Sequence, residues 1–209
     1  PPGRPAFPGG TRWGCSALLE LEKVVGSAEH DRLVEVFVSM AMSTGCILPM
    51  IRFFVLEEFL KNAKEDPGAI MRGNCIASKL CKQYLQRIGS KYLADILQKF
   101  VVETEAMPSM EIDPNKVEKP EDVEKHRQVL LERMRALLAH LTSNDMVDRM
   151  PEQIKVIAAY MAEFASQYAP DQFFSLVGGF LFLRYINPAL MTPEAYGLMP
   201  DGRKPSDGG

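Results

Sequence analysis

A chain of 209 residues, 46% hydrophobic and 24% charged, is long enough to bury one proper core and too short to need two domains. Its net charge of −3 provides no basic footprint for nucleic acid. The four cysteines, Cys15, Cys46, Cys75 and Cys81, include no CxxC pair, so free, mostly buried thiols in a reducing compartment are expected.

The chain opens on "PPGRPAFPGG" and closes on "PDGRKPSDGG", which read as linker-like segments, 1–16 and 201–209, around a helical domain at 17–200. Such ends suggest a piece of a longer protein, and the first lacks the apolar centre of a signal peptide. Apolar positions then cluster at helical spacing over 17–25 and 31–43, with Asp31 placed to cap or charge the second start. "VEVFVSM" has β-branched content, but no second strand candidate exists to pair with it. Pro49 marks a helix over about 47–61. The next helix is expected over 69–88, with Ile76, Leu80, Tyr84 and Ile88 on one face and Gly89 as its stop, and another over 91–103. "ETEAMPSMEIDPNKVEKPED" is polar and proline-bearing, hence a loop. Pro120 and Pro151 open helices reaching about 141 and 168, and Pro170 opens the last. The fold class is all-α, a single domain of seven or eight helices. No uninterrupted apolar run reaches the roughly 18 residues of a membrane span, because 173–183 stops at Arg184.

The sequence offers little catalytic chemistry. His30, His126 and His140 stand beside charged residues on different helices, without metal-ligand spacing, and read as solvated surface side chains. Neither GxxxxGK[ST] nor GxSxG occurs, and Gly178-Gly179 reads as an allowance for close helix packing. Two arginines stand out among apolar neighbours: Arg72 in "AIMRGNCIASKL" and Arg184 in "FLFLRYINPAL", each with an asparagine shortly after, Asn74 and Asn187. Such pairs brace loops, the guanidinium on carbonyls and the amide on a turn. On chemistry alone it stays open whether the braced loop does anything further.

These segments resemble the catalytic domain of Ras GTPase-activating proteins. The family reads "LFRxNxLAxK" where this chain has "IMRGNCIASK", and "FLRxxNPA" where it has "FLRYINPA"; "MEIDPNKVEKPEDVEKHRQVLL" is similar to the neurofibromin branch. Three segments in order within one all-α chain, over roughly 30–200, make the resemblance specific. It implies a single RasGAP-type helical domain that binds GTP-loaded Ras-family GTPases and accelerates their GTP hydrolysis, a negative regulator of Ras signalling with no chemistry of its own. It implies no cofactor, since GTP and magnesium are held by the partner, no nucleic acid and no membrane span. The expected location is cytoplasmic, with recruitment to the inner membrane surface by regions outside this chain. By the same resemblance Arg184 would hold the finger loop, while Arg72, Asn74, Lys79, Asn187 and Pro188 would belong to the GTPase-facing groove.

The chain departs from the family where the arginine finger should stand. Counting back 25 or 26 residues from Arg72 lands on Gly45-Cys46-Ile47-Leu48, where relatives read "STGR" and this chain reads "STGC", with Cys46 at the finger position; an alternative register puts Thr44 there. No arginine occurs from Leu33 through Ile51, and Arg52 lies nearly two helical turns past Cys46 on another face. A neutral thiol with one weak donor does not replace a planar cation with five. The alternative expectation is therefore a finger-less scaffold that binds small GTPases without speeding hydrolysis. The family's helices also continue well past "INPA", so truncation at the C-terminus is a second expected departure.

Overall fold

The computed structural model describes residues 9–25, 27–108, 110–117 and 119–200, and contains no strand among them. The chain divides into two compact units, residues 1–88 with 152–186, and 89–151 with 187–209.

The first unit is organised around α3 (Ile47–Asn62). Ile51, Val55 and Phe59 are fully buried, and Met50, Phe53, Phe54 and Leu56 are nearly so. A helix apolar on almost every side must be covered on every side. Accordingly α1 (Gly9–Val24), α2 (Ser27–Ser43) and α7 (Glu152–Tyr168) all pack on it. Helix α7 presents Ile154, Ile157, Met161, Phe164 and Ala165, a stripe at helical spacing, and the Phe59 and Phe164 rings lie 5.9 Å apart. Helix α8 (Phe173–Leu181) packs on α7 and runs without a break into a π-helical turn, Phe182–Ile186.

Helix α4 (Ile76–Glu105) contributes its start to the first unit and its remainder to the second. In the second unit α5 (Pro120–Leu141) carries Arg133, which stacks 4.6 Å over Phe100 and donates to Glu103, Thr104 and the Phe100 carbonyl. The short α6 (Asn144–Asp148) is tied to α4 by Tyr92, whose hydroxyl donates to the Met146 carbonyl at 2.9 Å. Helix α9 (Asn187–Met191) follows the π turn.

Several sequence expectations change. Helix α1 already begins at Gly9, inside the segment read as linker, and buries Cys15 and Leu18; the proline- and glycine-rich start conceals this. The remaining residues of the two expected linkers, 1–8 and 201–209, lie outside the described residues. Helix α2 starts at Ser27, so Asp31 is no cap; it pairs with Lys79 at 2.9 Å. Gly89 does not end a helix, because α4 passes through it with the glycine buried, and tertiary contact outweighs a propensity penalty of about 1 kcal/mol. Residues 70–75, expected to be helical, are an irregular loop behind a 3₁₀ turn at Pro67–Ala69. His30 and His126 are half-buried and sit 2.9 and 2.8 Å from the carbonyls of Val25 and Glu111, so they are not merely solvated. No neighbouring element crowds Gly178 or Gly179: a Cβ at Gly178 would meet nothing within 4 Å, and one at Gly179 only Leu183 of the same helical run at 4.0 Å. Close packing is therefore not their purpose, and nothing in the structure explains the pair.

Candidate functional site

The turn that joins α2 to α3 closes on itself. Gly45 adopts φ 69°, the left-handed conformation that costs a glycine nothing. Its N–H donates to the Met42 carbonyl at 3.2 Å, and the Cys46 N–H reaches back to Ala41 at 2.9 Å. These two bonds make a Schellman motif, which satisfies the last carbonyls of α2 and leaves Cys46 at the head of α3. Thr44 is exposed, with its hydroxyl turned back to the Met40 carbonyl at 2.9 Å and 3.0 Å from the Cys46 sulfur. The turn is thus a rigid pedestal whose tip carries a thiol and a hydroxyl but no charge.

Beside it, α2 and the first turns of α4 run side by side around an open cleft of about 540 Å³. Asp31 and Glu35 line one wall, Lys79, Lys82 and Arg87 the other, and Asn74 also borders it. Gln83 donates to the Asp31 carbonyl at 3.2 Å. Towards the turn, Arg87 lies 4.0 Å from Glu35 and donates to the Met42 sulfur at 3.8 Å. Two of the motif residues, Asn74 and Lys79, are therefore brought together, and Arg87 is a third member that the motifs do not mark.

Arg184 is a brace, but for a different loop from the one expected. Its Nε donates to the Met71 carbonyl at 2.9 Å, and Nη2 donates to the carbonyls of Arg72 and Gly73, the latter at 2.8 Å. The hydrogen bonds go to 71–73, the loop that feeds Asn74 into the cleft and sets the start of α4. The 44–46 turn needs no such support, since its own backbone closes it. Three carbonyls converging on one cation also explain why this loop is not helical: its acceptors are satisfied from outside, and Met71 is held at φ 60°, unusual for a non-glycine residue. Ser78 seals the other side, donating to the carbonyls of Gly73 and Cys75 at 2.8 and 2.9 Å. The Arg72 side chain turns away to Ser175 on α8, 3.1 Å from its hydroxyl. Asn187 and Pro188 open α9, where the Pro188 carbonyl accepts from Thr192.

Arg52 is not available as a substitute finger. Its Nη2 is 2.5 Å from Glu163, and its guanidinium lies 5.5 and 5.0 Å from the ring centroids of Tyr160 and Phe164. It is a fixed clasp between α3 and α7.

All four cysteines are free. Burial pushes the Cys15 thiol up to about 11, with Cys46 nearby adding to the rise. Burial likewise raises Cys81, and Cys75 is raised mainly by burial, opposed by bonding to Ser78. A raised thiol stays protonated and unreactive. Iodoacetamide at about pH 8 should therefore label Cys46 first and Cys15 and Cys81 only on unfolding, as peptide mass mapping would show. Equal labelling of Cys15 and Cys46 in the folded chain would contradict this placement.

One helical stretch among the described residues, Pro170–Met191, is by length and composition capable of crossing a membrane. Arg184, at which the apolar run ends in the sequence, does not end this helical stretch, because the loop carbonyls satisfy its charge.

Comparison with known proteins gives a consistent result. The sequence model of one family, GTPase-activator protein for Ras-like GTPase, matches residues 50–128 and 118–207. The chain is 33% identical over 201 residues to Neurofibromin-A of Dictyostelium discoideum, covering 88% of this chain and 22% of that protein. It is 29% identical over 175 residues to the probable Ras GTPase-activating-like protein ngap of the same organism, covering 82% and 19%. To the Disabled homolog 2-interacting protein of Homo sapiens it is 28% identical over 194 residues, covering 90% and 16%. The chain thus spans about a fifth of the length of these relatives.

Proposed function

Since the chain belongs to the family of GTPase-activator proteins for Ras-like GTPases, we propose that it docks a GTP-loaded Ras-family protein on the α2–α4 cleft and the turn at Cys46, and accelerates GTP hydrolysis there. The observation that carries this reading is the pairing of a rigid, exposed turn with a cleft bordered by the motif residues Asn74 and Lys79. Nucleotide and magnesium belong to the partner, and the domain takes no covalent part. Its contribution is to position the partner's water-orienting groups and to place charge against the phosphates. Arg184 and Arg72 serve by shaping the surface. We place its action in the cytoplasm, as a regulator of Ras-like GTPases.

A second reading is a module that only binds and shelters the GTP-bound partner: with Cys46 taken as the finger position and Arg52 committed elsewhere, such a module would need neither. Single-turnover GTP hydrolysis by several Ras-family proteins, with and without the domain, separates the two when binding is measured alongside with a non-hydrolysable GTP analogue. Acceleration supports the first reading. Binding without acceleration supports the second, and absence of both removes the docking surface altogether.

A further inference from the structure

We propose that Arg87 supplies the cation that Cys46 lacks, acting as a finger from α4 instead of from the α2–α3 turn; this rests on the docking reading above. Three observations carry it. The first is position. The Arg87 guanidinium lies against Met42, in the last turn of α2, and the Met42 carbonyl is itself a member of the Schellman motif that presents Cys46. The other exposed arginines of this unit whose surroundings are described stand elsewhere. Arg32 is near the start of α2, and Arg72 lies fifteen residues before Arg87, hydrogen-bonded to Ser175.

The second is how loosely Arg87 is held. Its carboxylate contact with Glu35 is at 4.0 Å, with side chains 31% and 65% exposed, and an ion pair of that kind contributes little. Its other contact is to a thioether at 3.8 Å, a weak acceptor. Arg52 and Arg184, by contrast, each hold partners at 2.9 Å or closer. An arginine that must leave its resting place when a partner arrives needs contacts as dispensable as these.

The third is chemistry. In GTP hydrolysis, water attacks the γ-phosphorus, the bond to the β–γ bridging oxygen breaks, and negative charge accumulates on that oxygen and on the γ-oxygens, giving GDP and phosphate. Arg87 forms no bond in this sequence. Its planar fork would donate to the bridging and γ-oxygens where charge grows, exchanging an exposed carboxylate for a more highly charged acceptor.

The test uses Arg87→Ala and Arg87→Lys, with single-turnover hydrolysis at saturating domain and binding to the analogue-loaded GTPase measured separately. The expected result is an Arg87→Ala rate lower by about 10³-fold or more, the range known for a finger in trans, with analogue binding largely kept. Arg87→Lys should recover a small part, having charge without the fork. A third readout is the GTPase loaded with GDP and aluminium fluoride, a planar mimic of the transferring group. The unaltered domain should bind it more tightly than the GTP-analogue form, and Arg87→Ala should lose that preference. An unchanged rate in Arg87→Ala overturns the proposal, as does an unaltered domain that binds without accelerating; in both cases the docking reading stands. If the unaltered domain binds no Ras-family protein, the docking reading falls first and this inference with it. Equal loss of rate and of analogue binding would make Arg87 a structural residue of the cleft and also overturns the proposal.

Discussion

Introduced into a domain already carrying Arg87→Ala, the substitution Cys46→Arg should raise single-turnover GTP hydrolysis of a bound Ras-family GTPase by about 10³–10⁵-fold, the range known for an arginine acting in trans on such partners. The new side chain would stand on a turn whose backbone is already closed by Gly45 and Cys46 bonding back to Met42 and Ala41, so little else must adjust. In the unaltered background the same substitution should gain much less, because one developing charge would then have two candidates to neutralise it. The four rates form a double-mutant cycle in which the departure from additivity reports the shared role. Equal gains in both backgrounds would show that Arg87 and residue 46 act independently. A gain of only about a hundredfold or less would indicate a turn misplaced by about 1 Å.

Arg184→Ala should cost about 3 kcal/mol or more of stability, since each bond from a charged donor typically contributes about 1.5–3 kcal/mol and the three share one side chain and are not additive. The loss should be local. Amide hydrogen exchange is expected to quicken over 70–75, where Met71 has lost what holds it at φ 60°, while the amides of Gly45 and Cys46 keep their protection. Chemical denaturation read beside exchange would show this. Faster exchange at 43–47 to the same degree would mean that Arg184 supports the whole cleft instead of one loop. Arg184→Lys should rescue little, because a point charge on a flexible stem does not address three carbonyls at once.

The contrast between these two arginines shows where sequence reading succeeds and stops. That Arg184 had to be paired followed from its apolar neighbours alone, and its carbonyl partners are of the expected kind. Which carbonyls they are did not follow, because the loop lies more than a hundred residues earlier and only the packing of α8 brings it near. Helices α3, α5 and α7 were legible from their opening prolines and apolar positions. The 70–75 loop was not, since its residues suit a helix and are drawn out of one by Arg184 and Ser78. Gly89 misled for the opposite reason, a local stop signal overruled by burial. Arg87 left no trace in the sequence reading at all. It sits on a polar helix face with no motif around it, and it becomes noticeable only when Met42 is found beside it.

The wide turn at Phe182–Ile186 has a consequence for phase. Along this helical run the deeply buried side chains are Leu176, Phe180 and Tyr185, a rhythm of four and then five residues. In an uninterrupted α-helix the inward position after Phe180 falls four residues on, at Arg184, and a guanidinium there would be driven into an apolar interior at heavy cost. The single π turn delays the beat by one residue. Tyr185 takes the inward place, and the arginine is left on the flank, where the carbonyls of 71–73 can meet it. The irregularity and the charge therefore enforce each other: straightening the turn would bury Arg184, and the bonds of Arg184 hold the turn wide.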